Sequence, residues 1–204
     1  MGWIATGIAL ALWAAPSAAT SKPQTCGPSN AATIAGNSQV RVYRQAGKGT
    51  ASIVFGCVRG SRKTSRIGPI PPAGRKAVVH GPITVNGKWV AAVEERPDGA
   101  TGWRVYVTSR NAGTSKGRHC LIGSGDSKSK APAVRVVLMN ANGGLAWAAI
   151  TPTPNGRAPI IGACDSQGNR VLDSGAGVEI KTLELHGSTV SWENAGGPRT
   201  ARLH

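Results

Sequence analysis

Residues 142–175, "NGGLAWAAITPTPNGRAPIIGACDSQGNRVLDSG", contain short apolar runs separated by turn-forming residues. Gly143 precedes the run "LAWAAI", a polar turn divides that run from "APIIGACD", and Gly168 precedes the run "RVL". Runs rich in Val, Ile, Ala and Trp that are bounded by Gly, Pro, Asn and Asp are typical of β-strands joined by hairpins. The stretch therefore predicts a small antiparallel sheet.

The segment 164–175, "CDSQGNRVLDSG", is compatible with a cation-binding loop or with a hairpin turn. A calcium loop alternates oxygen ligands at every second position and ends in a bidentate Glu. After Asp165 the alternate positions hold Gln167 and Asn169, and no Glu closes the loop. The hairpin is therefore favoured, with Asp165 capping the turn and Gly168 at positive φ. The sequence predicts no metal site and no cofactor.

The same arrangement recurs along the chain, with turn glycines at Gly36, Gly87, Gly143 and Gly187. Their spacings of 51, 56 and 44 residues are near the 40–50 residues of a four-stranded propeller blade. An apolar run precedes each glycine and two more follow it. The third run of each repeat is predicted at 51–58, 102–109, 158–165 and 198–203.

No stretch after residue 20 shows a helical apolar period, so the chain is predicted to be all-β. We expect a small β-propeller-like arrangement of about four blades. The N-terminal strand at 31–34 and the C-terminal strands at 189–193 and 198–203 would share the last blade, because an unpaired sheet edge is a liability. An open arc of blades and a β-sandwich are the alternatives.

The strand "NGGLAWAAI" (142–150), followed by "DSQGNRVL" (165–172), resembles the repeats of TolB-like and WD-repeat-like β-propellers. The stretch "NRVLDSGAGVEIKTLELHGSTVSW" (169–192) is similar to a segment of uncharacterised exported bacterial proteins. The resemblance implies a fold and an exported location. It implies no activity, because one fold hosts many functions.

Residues 1–19, "MGWIATGIALALWAAPSAA", are predicted to be a signal peptide. The uncharged apolar run 4–15 is too short to cross a bilayer comfortably, and small residues follow Pro16. We expect cleavage near Ala19 and a secreted or extracytoplasmic protein, with an uncleaved anchor as the alternative. Residues 20–30 form an N-terminal lead-in, and residues 31–204 form a single all-β repeat domain.

The four cysteines, Cys26, Cys57, Cys120 and Cys164, all lie after the predicted signal peptide. None forms a C-x-x-C pair, and an even count in an exported chain favours two disulfides. Three pairings are possible. We favour Cys26–Cys57 and Cys120–Cys164, because these bonds join neighbouring segments; free buried thiols are the alternative.

The formal net charge of +15 is unevenly distributed. Residues 1–93 contain eleven Lys and Arg and no Asp or Glu, whereas residues 94–204 contain thirteen basic and nine acidic residues. A field of one sign attracts polyanions. The first half of the mature chain is therefore predicted to face an anionic partner.

The stretch 58–76, "VRGSRKTSRIGPIPPAGRK", is the main candidate for that contact, and we expect its cations to crowd a loop. An anionic polymer or an anionic membrane surface is the expected partner, and a merely solvated surface is the alternative. Export and the lack of interleaved aromatic residues argue against intracellular nucleic acid. The candidate residues are Arg59, Arg62, Lys63, Arg66, Arg75 and Lys76, and a second basic stretch contains Arg110, Lys116, Arg118, Lys128 and Lys130.

No catalytic residue is predicted. The chain contains no H-E-x-x-H, no P-loop and no dinucleotide fingerprint. Glu94 and Glu95 are adjacent on a predicted strand and should point to opposite faces. We therefore expect a non-enzymatic binding or scaffold module. One alternative is a hydrolase or lyase for an anionic polymer, which requires two acids, or an acid and a histidine, to converge; another is a domain that binds protein through its blade edges.

Four tryptophans follow the predicted signal peptide. Trp89, Trp147 and Trp192 each follow a repeat glycine by two to five residues, which favours packing between blades. Trp103 begins its strand after "GATG" and is expected to be the most exposed of the four.

Overall fold

The computed structural model of the chain describes residues 26–46, 52–61, 63–68, 78–99, 101–126 and 128–204. The predicted signal peptide, residues 1–19, and lead-in residues 20–25 lie outside these ranges. Within them the chain forms fifteen β-strands and no helix, which confirms the all-β prediction. No described segment is a helix long and apolar enough to span a membrane.

The strands form four antiparallel sheets, and each sheet consists of strands that are consecutive in the chain. The first sheet contains β1 (Ala32–Gly36), β2 (Val40–Ala46), β3 (Ser52–Val58) and β4 (Thr64–Arg66). The second contains β5 (Val78–Asn86), β6 (Trp89–Asp98), β7 (Gly102–Asn111) and β8 (Gly117–Gly125). The third contains β9 (Ala133–Met139), β10 (Leu145–Thr153), β11 (Gly156–Asp165) and β12 (Gly168–Ser174). The fourth contains β13 (Val178–His186), β14 (Thr189–Asn194) and β15 (Gly197–Arg202).

The repeat glycines mark the first hairpin of each sheet, as predicted. Gly87, Gly143 and Gly187 have φ of 54°, 76° and 62°, which glycine adopts readily. Gly36 instead ends β1. The turn that follows it is closed by Asn37, whose Oδ1 accepts hydrogen bonds from the backbone N–H groups of the second and third residues after it, each at 2.8 Å.

The prediction that the N- and C-terminal strands share the last blade is wrong. β1 pairs with β2, with Ala32 opposite Arg44 and Gly36 opposite Arg41. The Asn37 turn is too tight to carry β1 to another sheet. Among the described residues the fourth sheet consists of β13, β14 and β15 alone.

Three apolar clusters join the sheets in chain order. Successive residues of a strand point to opposite faces, so Val90 and Ala92 of β6 pack toward the first sheet while Ala91 and Val93 pack toward the third. In β10, Trp147 packs toward the second sheet and Ala148 toward the fourth. No hydrophobic cluster of the described residues joins the fourth sheet to the first.

The two remaining sheet faces differ from these interfaces. On the first sheet, Tyr43 stacks on Phe55 with ring centroids 5.6 Å apart, and the segment around Cys26 and Gly27 covers the Tyr43 ring. On the fourth sheet the free face is polar. It carries Thr189, Ser191 and Glu193 of β14 and their partners on β15, which are Arg202, Thr200 and Pro198.

The structure contains two disulfides, as predicted, and it confirms the favoured pairing. Cys26 bonds to Cys57 and holds the covering segment on the first sheet, with Cα atoms 5.6 Å apart. Cys120 of β8 bonds to Cys164 of β11, with Cα atoms 6.0 Å apart. The second bond therefore links the second sheet to the third.

The tryptophans are mostly core residues. Trp147 and Trp192 are buried in the interfaces of the third sheet, as expected. Trp89 is half-buried against the cluster between the second and third sheets. Trp103, predicted to be the most exposed, is also half-buried, because its ring packs on the same cluster and its Nε1 donates to the backbone O of Ser129 at 3.1 Å.

Candidate functional site

Side chains tie the four sheets together at one end. Asn37 of the first sheet donates from Nδ2 to the backbone O of Gly87 in the second, at 2.9 Å. Arg118 of the second sheet donates to the O of Asn142 beside the third, at 3.0 Å, and Arg170 of the third donates to the O of Arg202 in the fourth, at 2.7 Å. We call this the turn end, because it carries the turns between first and second strands and between third and fourth strands.

The two basic stretches meet at the turn end. Ser65 of β4 is buried, and its Oγ donates to the backbone O of Ala112 at 2.9 Å and lies 2.8 Å from Ser115 Oγ. Ala112 and Ser115 belong to the turn between β7 and β8. Lys63 immediately precedes β4, and Lys116 follows Ser115. The cations of both turns therefore share one surface.

We call this surface the basic face. No described carboxylate of the first or second sheet lies on it. The acidic residues of the second sheet, Glu94, Glu95 and Asp98, occupy the half of β6 that is far from its turn with β5. Asp126 follows β8 at the opposite end. All members of the basic face are exposed except Arg118, which is half-buried; they are Arg59, Lys63, Lys88, Lys116 and Arg118.

The structure brings together only part of the predicted basic site. Arg59 and Lys63 lie on the basic face, but residues 58–76 do not form one loop, because β4 pairs with β3 within them. Arg66 lies on that strand opposite Phe55, so it points away from the basic face, toward the outer side of the first sheet. Arg62, Arg75 and Lys76 lie outside the described residues.

The second basic stretch is divided in the same way. Lys116 and Arg118 lie at the turn end, on either side of the start of β8. Lys128 and Lys130 follow the end of that strand and are exposed at the opposite end of the sheet. Lys88, which the sequence did not single out, joins the basic face because it forms the tip of the turn between β5 and β6.

A groove opens beside the basic face between the ends of three first strands. Its volume is about 460 Å³. Leu138, Leu183 and Leu185 are among its apolar lining residues, and Glu184 and His186, whose side chains are 3.1 Å apart, lie at its exposed rim. Thr84 and Asn86 also line it, but their side chains already donate to the carbonyls of β9.

Glu94 is a fully buried carboxylate. Its Oε2 accepts from Arg96 Nη2 at 2.7 Å and lies 3.7 Å from His119 Nε2, while Oε1 accepts from Thr108 Oγ1 at 3.1 Å. Burial by itself would raise the pKa of Glu94, but the contacts with His119 and Arg96 hold that pKa below its ordinary value. The Tyr106 ring stacks on His119 with centroids 4.0 Å apart.

Glu94 and Glu95 point to opposite faces of β6, as predicted. Glu94 lies on the same face of β6 as Ala92. Glu95 lies on the face of Val93, and Glu95 and Val93 line a cavity of about 290 Å³ between the second and third sheets. The sequence did not predict that Glu94 would contact Arg96, Thr108 and His119, because these partners lie on three different strands.

Asp165 caps the turn in "CDSQGNRVLDSG", as predicted. Its Oδ1 accepts from the N–H of Gln167 at 3.0 Å, and Gly168 has φ of 93°. Both carboxylate oxygens also accept from Arg170, at 2.7 and 2.8 Å, and the N–H of His204 donates to Oδ2. Burial would raise the pKa of Asp165, but these hydrogen bonds hold it below its ordinary value.

No group of three or more His, Cys, Asp or Glu within the described part of the chain is placed to hold a metal ion. Comparisons with protein-family models, with curated proteins and with solved structures give no significant match to this chain. Function must therefore be inferred from the geometry of the basic face and the clusters beside it.

Proposed function

We propose that this protein is an exported, non-enzymatic binding module whose basic face contacts an anionic partner at the cell surface. The observation that carries the proposal is the contact of Ser65 with Ala112 and Ser115, which joins two basic turns from different sheets. The described cations of these turns are exposed, and no described carboxylate of the first two sheets lies at the turn end. Such a field raises the local concentration of polyanions and accelerates their association.

Export is part of this proposal. Two disulfides are compatible with an extracellular location, since such bonds form and persist in oxidising compartments. The resemblance of residues 169–192 to exported bacterial proteins points the same way. Polymers of the cell wall and anionic membranes are the polyanions that an exported protein meets.

The experiment is salt-dependent retention of the purified chain on an anionic matrix. The test variant is Lys63→Gln/Lys88→Gln/Lys116→Gln. We expect it to elute at lower salt and to reduce the slope of log affinity against log salt by about 2 to 3, because each lost contact removes roughly 0.7 to 0.9 of a released counterion. A matched control, Lys128→Gln/Lys130→Gln/Lys181→Gln, changes the net charge equally at other surfaces.

If the two triple variants lose retention equally, binding depends on net charge alone and the basic face is not a site. If the unmodified chain shows no salt-dependent retention on anionic polymer or anionic vesicles, the proposed function is wrong.

We also propose that the four sheets form an open arc rather than a closed propeller. Among the described residues three apolar interfaces join the four sheets, and the free face of the fourth sheet is polar; both observations support this arrangement. Repeat arrays that do not close need outer faces that tolerate water. At the other end of the array, the segment around Cys26 covers the free face of the first sheet.

A second candidate function is a hydrolase or lyase for an anionic polymer, favoured by the convergence of Glu94 and His119. The buried carboxylate could orient His119 as a base, beside the phenol of Tyr106. The test is release of products from anionic polysaccharides by the unmodified chain, compared with Glu94→Gln and His119→Ala. Absence of turnover in the unmodified chain across such polymers would exclude it.

A protein partner at the sheet edges is supported less well. β15 is an edge strand, and Pro198 within it has no N–H to offer an added strand. The backbone O of Arg202 already accepts from Arg170. These features are the means by which natural sheets block edge pairing.

A further inference from the structure

Two arginines of the basic face are anchored to backbone carbonyls. Arg59 donates from Nε to the O of Asn37 at 2.9 Å, and Arg118 donates from Nη1 to the O of Asn142 at 3.0 Å. Each anchored guanidinium keeps further N–H donors for a ligand, and its orientation is fixed in advance. A planar guanidinium fork matches an oxyanion in geometry.

These arginines lie on opposite sides of the turn between β5 and β6. Arg59 lies on the side of that turn that faces the first sheet. Asn37 accepts a hydrogen bond from Arg59 and donates one to the backbone O of Gly87, so it connects the two. Arg118 lies on the third-sheet side, with its guanidinium carbon 5.9 Å from the Trp89 ring. Lys88 forms the tip of the turn between them. Arg59, Lys88 and Arg118 therefore form a row that crosses the sheets.

The row is too long for a single small anion. Packed sheets lie about 10 Å apart, whereas an oxyanion contacts its donors at about 3 Å. One phosphate or carboxylate cannot touch donors on both sides of the second sheet. A linear polymer with an oxyanion on each repeat can do so.

The row does not continue onto the third sheet, because Asp165 stands there at the position that Asn111 occupies in the second sheet. Arg110 pairs with Gly117 in the second sheet, and Asn111 and Arg118 are the next residues of the two strands. In the third sheet Cys164 pairs with Asn169, and Asp165 and Arg170 are the next residues. Asn111 and Asp165 thus stand in the same diagonal relation to an arginine.

Both residues also cap the turn that follows them. Asn111 Oδ1 accepts from the N–H of Gly113 at 3.0 Å, and Asp165 Oδ1 accepts from Gln167 at the same distance. The acid neutralises Arg170, whereas Asn111 is an uncharged amide and no carboxylate among the described residues pairs with Arg118. The third sheet is therefore closed to an anion at the position where the second is open.

Building on the proposed function, we propose that the ligand is an extended linear polyanion that lies across the first two sheets over Arg59, Lys88 and Arg118. The repeating group is an oxyanion, as in a polyphosphate or a polycarboxylate. The observations do not favour a membrane, because the exposed large apolar residues of the described chain, Ile34, Leu121 and Val171, are not on the basic face.

The test measures binding of tripolyphosphate, long-chain polyphosphate and poly-L-glutamate to the full chain at fixed low salt. Vesicles of anionic phospholipid are a fourth probe. We expect the long polymers to bind at least tenfold more tightly per anionic group than tripolyphosphate. Comparing the affinities for long-chain polyphosphate and poly-L-glutamate shows whether the site prefers phosphate or carboxylate.

The decisive variant is Asn111→Asp, which keeps the turn cap and copies the acid of the third sheet. It should reduce affinity for the long polymer at least several-fold. The control Gln167→Glu adds the same charge to the turn of the third sheet, outside the row, and should change affinity much less. Circular dichroism of both variants establishes that they are folded.

Two results would overturn the extended-ligand inference while leaving the proposed function intact. One is an affinity per anionic group that does not depend on chain length, and the other is binding to vesicles without binding to polymers. Equal effects of Asn111→Asp and Gln167→Glu on affinity would show that the ligand does not bind along the row of Arg59, Lys88 and Arg118. A chain that binds none of the four probes rejects both the inference and the proposed function.

Discussion

The hydroxyl of Ser65 lies 2.8 Å from the hydroxyl of Ser115, although the two residues are 50 positions apart in the chain. Ser65 is buried and also donates to the backbone O of Ala112. This contact fastens the last strand of the first sheet to a turn of the second. It brings together basic residues that the sequence separates.

Replacing Ser65 with alanine should destabilise the chain by about 1 to 2 kcal/mol, because the carbonyl of Ala112 would lose its hydrogen bond in a buried position. Urea unfolding followed by tryptophan fluorescence measures this change. The control is Ser115→Ala, which alters an exposed hydroxyl and should cost about 0.5 kcal/mol or less. Equal losses in the two variants would show that the hydrogen bond from Ser65 to Ala112 adds no stability beyond the contact between the two hydroxyls.

Gly143→Ala should cost more than Gly168→Ala. Both glycines have positive φ, 76° and 93°, so each substitution carries backbone strain of roughly 1 to 2 kcal/mol. A Cβ at Gly143 would also overlap the Trp89 ring, whereas no atom lies within 4 Å of one at Gly168. The overlap should add about 1 to 3 kcal/mol. Thermal or urea unfolding of the pair measures the difference, and similar losses would show that Trp89 does not pack on this turn.

Ser191→Lys on the free face of the fourth sheet tests the open arc. In the arc this side chain faces water, and the substitution should change the free energy of unfolding by about 0.5 kcal/mol or less. In a closed ring the lysine would be buried against the first sheet and would cost several kcal/mol. The comparison variant is Ala201→Lys, which introduces the same charge toward the third sheet. A large loss from Ser191→Lys would argue for closure.

Stability should fall in acid partly through Asp165. The pKa of this carboxyl in the folded chain is below its ordinary value, so its contribution is present at neutral pH. It is lost as the pH falls below about 4, where the unfolded chain takes up the proton first. Urea midpoints measured from pH 7 to pH 3 should therefore decline.

Asp165→Asn isolates that contribution. The variant should be less stable at pH 7, because Arg170 and the N–H of His204 lose a charged acceptor. Its stability should also decline less steeply in acid. Glu193→Gln changes the net charge by the same amount at an exposed position and controls for that change. A variant at Asp165 with an unchanged slope would show that this carboxyl titrates alike in both states.

The strands were predictable because local signals specify them. Gly87, Gly143 and Gly187 each occupy a turn that requires positive φ, and apolar alternation marks the strands on both sides. β4 escaped prediction because Thr64–Arg66 carries no apolar residue, and its pairing with β3 is the only evidence of a strand. The basic loop was therefore predicted to be longer than it is.

The arrangement of charges in space was less accessible. Glu94 and Glu95 were correctly expected on opposite faces, but nothing in "VEERP" shows which one is buried with Arg96 and His119. The basic face depends on contacts between turns about 50 residues apart, which no local pattern encodes. Only the excess of cations over acids in the first half was visible beforehand.

In the part of the chain that the structure describes, every sheet is made of consecutive strands, so each strand pairs with a neighbour in the sequence. Such local topology favours rapid folding, and it lets the sheets assemble in the order in which the chain is synthesised or exported. The Cys26–Cys57 bond can close as soon as β3 has formed. The Cys120–Cys164 bond requires β11, so oxidation of the second pair would report when the third sheet has docked on the second.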